Sequence, residues 1–242
     1  MILAVADECA KSGAKEKAVQ IIEMVSGEEL APMGSADFYR QPFTVARAAK
    51  QLSELGQKDR GLAVLKEAIK HWGPAMLAED AAGTNRNIVS MEMEFSEILP
   101  QMAALGDMET AVDWAGKLRY HSAFENIATA IIQMGKTDEG VAVAKRAVLK
   151  DNVYYGVARE LVEGDHGVEA LRLMKNLLMY QREQSAMSSA QRMDEMFVWM
   201  MVNVLNEFKV GAFSPAESEM AASFLEYANP PFPRDWCRAF VE

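Results

Sequence analysis

Cysteine, histidine and clustered positive charge are all scarce in this chain. Its 242 residues include two cysteines and three histidines, and no run of lysines and arginines occurs. Cys9 and Cys237 stand near opposite ends, so no disulfide framework is implied and the cytoplasm is the expected location. A formal net charge of −10 argues against a nucleic-acid partner, because phosphate binding is driven by grouped lysine and arginine. The longest apolar stretch, Met196 to Leu205 with Asn203 inside it, reaches about half of the roughly 20 residues a membrane-spanning helix needs, so no membrane role is expected. Asp7 and Glu8 interrupt the apolar start, which also lacks the basic lead of a secretory leader. Alternating strand-like patterns are nearly missing as well.

Chemistry-bearing motifs are equally sparse. There is no glycine-rich phosphate loop, no His-Glu-x-x-His pair and no paired-cysteine site, so no cofactor, no metal and no catalytic residue is expected. Glu163-x-x-His166 has the spacing of half a di-iron site, but it lacks a second half and spans a turn. His71, beside Trp72-Gly73-Pro74, is expected at a helix end, and His121 at the start of a helix. Cys9 falls on an apolar stripe with Val5 and Ala6 and is expected to be a buried, inert thiol.

What the chain does have is a recurring spacing: a small residue, seven positions to a turn residue, five more to another small residue. Ala6…Gly13…Ala18, Ala49…Gly56…Gly61, Ala128…Gly135…Gly140 and Ala158…Asp165…Ala170 are the clear copies. Leu99…Gly106…Ala111 and Val204…Gly211…Ala216 are weaker. Around each turn the apolar residues keep helical period, as in Phe124, Ile127, Ala128, Ile131 and Ile132. Each unit therefore reads as helix, tight turn, helix. The turn glycine supplies the left-handed residue that ends the first helix, and the small residues allow close approach of the two helices. In the fifth copy Gly164-Asp165-His166-Gly167 does this with glycine shifted by one place. Pro100 falls within the first helix of the third copy and is expected to kink or split it.

The pattern resembles the tetratricopeptide repeat. Phe95, Phe124 and Tyr154 occupy that family's aromatic position eleven before the turn, and Ala68, Leu118, Ala147 and Leu177 its apolar position twelve after. The family's period is about 34 residues. Here the turn residues are 29 and 30 apart in the regular part, and 43, 50 and 46 elsewhere. The longer gaps contain insertions near 26–42 and 71–91. The expected fold is all-α, a right-handed α-solenoid of five to six antiparallel helix pairs over 1–228. Residues 229–242 are expected to form a capping tail, with Trp236 and Phe240 over the last pair. Ile2 is already in helical register with Val5, which leaves a frayed first helix or a piece of a longer array as alternatives.

The resemblance implies a non-enzymatic interaction scaffold that holds a protein or peptide on a concave face lined by the first helices. It places groove residues ten and six before each turn, which marks Lys50, Glu125, Thr129, Tyr155 and Arg159, with the groove centred on the fourth and fifth copies. Tyr155 and Arg159 form an aromatic-plus-arginine anchor, or Arg159 simply pairs with Glu163. Two other readings stand beside this one. One is an all-α enzyme or small-molecule binder with a pocket under residues 71–91, where Glu79, Asp80, Asn85, Arg86 and Asn87 gather. The other is a structural subunit that self-associates through apolar ends. Five of the seventeen methionines fall between Met187 and Met201, which suits either gap-filling or an adaptable binding surface.

Overall fold

A computed structural model describes residues 2–26, 30–82, 88–147, 150–185 and 214–216. The described residues are helical, with no strand among them. The sixth spacing copy, the Met187–Met201 cluster and the proposed capping tail lie outside them, apart from the few residues around Ala216. The fold is all-α.

Packing divides the chain into two units, Met1–Met134 and Gly135–Glu242. In the first unit α1 (Ile2–Lys11) packs on α2 (Lys15–Ser26), and α3 (Gln41–Glu54) on α4 (Lys58–Ala82). Then come α5 (Ile88–Ser96), α6 (Ile98–Ala104), α7 (Met108–Lys117) and α8 (Ser122–Gln133). The second unit holds α9 (Thr137–Ala144), α10 (Lys150–Glu163) and α11 (Gly167–Ser185), with α10 packed on both neighbours.

The turns explain why these helices end where they do. Gly13, Gly56, Gly106 and Gly135 have φ of +86°, +80°, +97° and +78°, all in the left-handed region. After α3, the Gly56 N–H donates to Ser53 O and the Gln57 N–H to Leu52 O, at 2.9 and 2.8 Å. These two hydrogen bonds satisfy carbonyls that the helix end leaves open. The same pair closes α1, α6 and α10. In the fifth copy the left-handed residue is Asp165 itself, at φ +60°, rather than a neighbouring glycine. Aspartate tolerates this conformation better than most side chains.

Small residues at the recurring positions are buried. Ala6, Ala18, Ala49, Ala111, Ala128, Ala158 and Ala170 all lie in the core. Phe95, Phe124, Tyr154, Ala68, Leu118, Ala147 and Leu177 are buried too. Burial raises the Tyr154 phenol above its ordinary pKa, with Tyr180 adding to the effect. Cys9 is only half-buried, at the margin of the α1–α2 core rather than inside it.

Two prolines act differently. Pro100 lacks the N–H that would bond to the carbonyl of Ser96, and α5 stops at Ser96 before the chain restarts as α6. Pro74 does not stop α4, which runs through Gly73-Pro74 to Ala82, so His71 sits within a helix and not at its end. Packing on both sides outweighs the lost hydrogen bond. Trp72 and Met76 are fully buried, and the Trp114 ring lies where a side chain on Gly73 would be. The insertion at 26–42 is also anchored here. Phe38, in a short 3-10 turn, meets Trp72 edge-on at 5.5 Å between ring centroids.

Candidate functional site

In the first unit side chains of α3 reach α1 on one side, and α3 packs on α6 on the other. Asp7 on α1 and Arg47 on α3 form an ion pair at 2.9 Å. Gln51 of α3 reaches the same helix, its Nε2 donating to Leu3 O at 3.1 Å and also to Asp7 Oδ1. Helix α3 packs on α6, and α6 on α8.

This layer carries two adjoining recesses. One, of about 470 Å³, is bounded by α1, α3 and α6 with Glu97 between α5 and α6; Asp7, Arg47, Lys50, Gln51, Glu54 and Glu97 supply its polar groups. The other, of about 570 Å³, continues past Phe43 and Glu97 to Tyr39, Arg40, Met93, Glu94 and Tyr120. Phe43 stands where the two meet and is 58% exposed, an unusual placement for a large aromatic side chain. Arg40, Phe43, Arg47 and Lys50 fall at spacings of three, four and three, one stripe along and just ahead of α3.

The electrostatics of the first recess are uneven. Asp7 and Arg47 neutralise each other. Glu54, Glu97 and Lys50 make no ion pair among the described residues. Partial burial raises the Glu97 carboxyl above its ordinary pKa, and the neighbouring Glu94 charge pushes it the same way. Gln51 is 6% exposed, and its Oε1 accepts no hydrogen bond. Turning the amide over would set that oxygen against the Asp7 carboxylate and the Leu3 carbonyl, so the orientation is fixed.

Of the five residues marked by spacing, Lys50 lines the first recess. Glu125 and Thr129 are half-buried on α8, whose neighbouring Asn126 is the residue that lines the second recess. Tyr155 and Arg159 belong to α10 in the second unit and are not among the residues lining either recess. Arg159 lies 3.6 Å from Glu163, with both side chains substantially exposed, a contact worth a few tenths of a kcal/mol. Spacing did not mark Phe43, Gln51 or Glu97. The stripe on α3 was the signal available for Phe43.

His166 Nε2 lies 3.1 Å from Thr137 Oγ1, twenty-nine residues away, and ties the start of α9 to the turn after α10. Among the described residues no group of three or more histidine, cysteine, aspartate and glutamate side chains is placed to hold a metal ion. No described helix is long and apolar enough to cross a membrane. No protein-family model matches the sequence, and no curated protein matches it.

Proposed function

We propose that this chain is a non-enzymatic interaction scaffold that holds an extended peptide, or a segment of a partner protein, along the layer formed by α1, α3, α5, α6 and α8. One observation carries the reading: two recesses run together across these helices and share Phe43 and Glu97. A surface of this kind offers an aromatic anchor at its centre and polar groups at its edges, the arrangement that concentrates binding energy at interfaces. Its location would centre the groove on the first three spacing copies, with α8 of the fourth at its far edge. A stack of antiparallel pairs of the tetratricopeptide kind belongs to the same proposal, supported by the left-handed turn residues and the buried small residues. A cytoplasmic setting fits the sparse cysteines.

Selection of a phage-displayed random dodecapeptide library on the full chain tests this. Peptides should enrich, and Phe43→Ala should weaken their synthetic versions about tenfold or more while the far-ultraviolet circular dichroism stays unchanged. Failure to enrich any peptide, or indifference to Phe43→Ala, removes the reading.

A second reading, self-association, has its own observation. Ile2, Val5 and Met24 of the α1–α2 pair are more than half exposed. Sedimentation of the wild type beside Val5→Lys and Met24→Lys decides it, since a concentration-dependent oligomer that the variants abolish is required.

A further inference from the structure

Resting on the peptide-binding reading, we propose that the recess bounded by α1, α3 and α6 receives a cationic side chain of the bound peptide, an arginine or lysine whose head sits between Glu54 and Glu97. The recess has more acceptors than donors. With Asp7 and Arg47 closed on each other, Glu54 and Glu97 are left without an ion pair among the described residues, and Gln101 adds a side-chain carbonyl. Gln51 contributes a further acceptor, independent of the carboxylates. The residue lines the recess, is nine-tenths buried and is held by α1 through Nε2, and its Oε1 has no donor.

A buried acceptor left without a donor is unfavourable, so an occupant that donates to it recovers that loss. A guanidinium carries five donors and no acceptor, and an ammonium three. Either satisfies this set without bringing an orphan acceptor of its own. An anionic or acceptor-rich group would leave Gln51 Oε1 unsatisfied and add a third negative charge beside Glu54 and Glu97. Oε1 is closed to water in the free chain, so a donor reaches it through side-chain adjustment on binding, which is common at interfaces.

Size and shape agree with the charge. The recess of about 470 Å³ has room for a long side chain, and Ala46 and Phe43 give the alkyl stem an apolar wall. The exposed Phe43 ring also offers its face to a cation. Three cations share this surface: Arg40 at the far recess, Arg47 held by Asp7, and Lys50 on an exposed stem. Lys50 is the one that opposes the incoming charge here, and its exposed side chain has solvent to move into. At longer range the net charge of −10 favours the approach of a basic partner.

The test uses the best dodecapeptide from the selection, the same peptide with arginine replaced by neutral, isosteric citrulline (or lysine by norleucine), and the full-length chain. Dissociation constants are read by fluorescence anisotropy for the wild type, Glu97→Gln and Glu54→Gln. The enriched peptides should contain a shared basic residue. Citrulline should raise the dissociation constant about tenfold or more, Glu97→Gln should do the same, and the two together should cost little more than either alone, as coupled partners require. Glu54→Gln, at an exposed position, repeats the measurement with little risk to folding. Peptides without a common cation that still weaken with Phe43→Ala would overturn the cation site and leave the groove intact. Acidic peptides that bind more tightly to Glu97→Gln would overturn it with the opposite sign. If no peptide enriches, or binders ignore Phe43→Ala, both the cation site and the scaffold reading fall together.

Discussion

The carbonyl oxygen of Ala49 lies 2.6 Å from the point a β-carbon on Gly61 would occupy. Ala49 is seven residues before the Gly56 turn and Gly61 five after it, so the recurring spacing has a direct steric meaning at this pair. Backbone meets backbone there, and neither can yield cheaply. Leu105 Cδ1, 3.2 Å from the same point, closes the other side.

Gly61→Ala should therefore destabilise the chain by about 1–3 kcal/mol, even though alanine is the better helix former by roughly 1 kcal/mol. Gly116 in α7 is the control, because a β-carbon there meets nothing nearer than Phe124 Cζ at 4.0 Å. Gly116→Ala should be neutral or stabilising by up to about 1 kcal/mol. Urea unfolding of the two variants side by side separates the effects, and equal behaviour would mean the close approach is not real.

Trp72 anchors the first insertion to α4. Its Nε1 donates to Ala31 O at 2.9 Å, while the Ala31 N–H donates to Gln41 Oε1 at 2.6 Å. Trp72→Phe keeps the ring contact with Phe38 but strands the Ala31 carbonyl. A loss of about 1–3 kcal/mol is expected, together with faster proteolytic cleavage between residues 30 and 37. Cleavage at the wild-type rate would show that the segment is held by something else.

Asp107 caps α7, accepting from the Thr110 N–H at 3.3 Å, and pairs with Lys66 Nζ at 2.8 Å. The Lys66 hydrogen bond, more than that from Thr110, holds its carboxyl below the ordinary aspartate pKa, against the opposing effect of burial. A carboxylate whose folded pKa is depressed contributes its full stability above the unfolded value of about 3.9 and loses it as pH falls through the folded value. Asp107→Ala should therefore cost about 1 kcal/mol at neutral pH, and the gap to wild type should shrink near a pH of about 2. Asp107→Asn keeps the cap and should lose only a few tenths of a kcal/mol. The check is chemical unfolding of all three chains at both pH values.

The turns were readable in the sequence because a left-handed residue strongly prefers glycine, and Asp165 is the place where that preference is overridden. The split at Ser96 followed from Pro100 for an equally local reason, the missing N–H. Pro74 carries the same local penalty, yet α4 continues, because the burial of Trp72 and Met76 depends on residues far along the chain that no local pattern displays. The site divides in the same way. Lys50, marked by its spacing from the Gly56 turn, is among the residues lining the recess. Gln51 and Glu97 come together because α1, α3 and α6 converge, which brings a buried amide side chain and a half-buried carboxylate to the lining of one hollow. Helical period alone gives no sign of that meeting.

Glu97 should separate stability from binding. Its charge is held in a partly dry position, and Glu94 repels it, so both causes raise its pKa in the folded chain. The sign is opposite to that of Asp107: the folded state favours the protonated form, so the ionised carboxylate opposes folding above the folded pKa, and that opposition fades below the unfolded value of about 4.3. At neutral pH Glu97→Gln removes the charge at similar volume and should leave the chain as stable as the wild type or slightly more so. Below a pH of about 4 the two should converge. Peptide binding should move the other way, weakening about tenfold because the cation's partner is gone. A residue kept at some cost to stability is what a binding surface retains and a purely structural position does not. Urea midpoints and anisotropy titrations on the same samples test the opposition. A variant that loses stability and binding together would make Glu97 a structural residue and return the recess to an apolar role centred on Phe43.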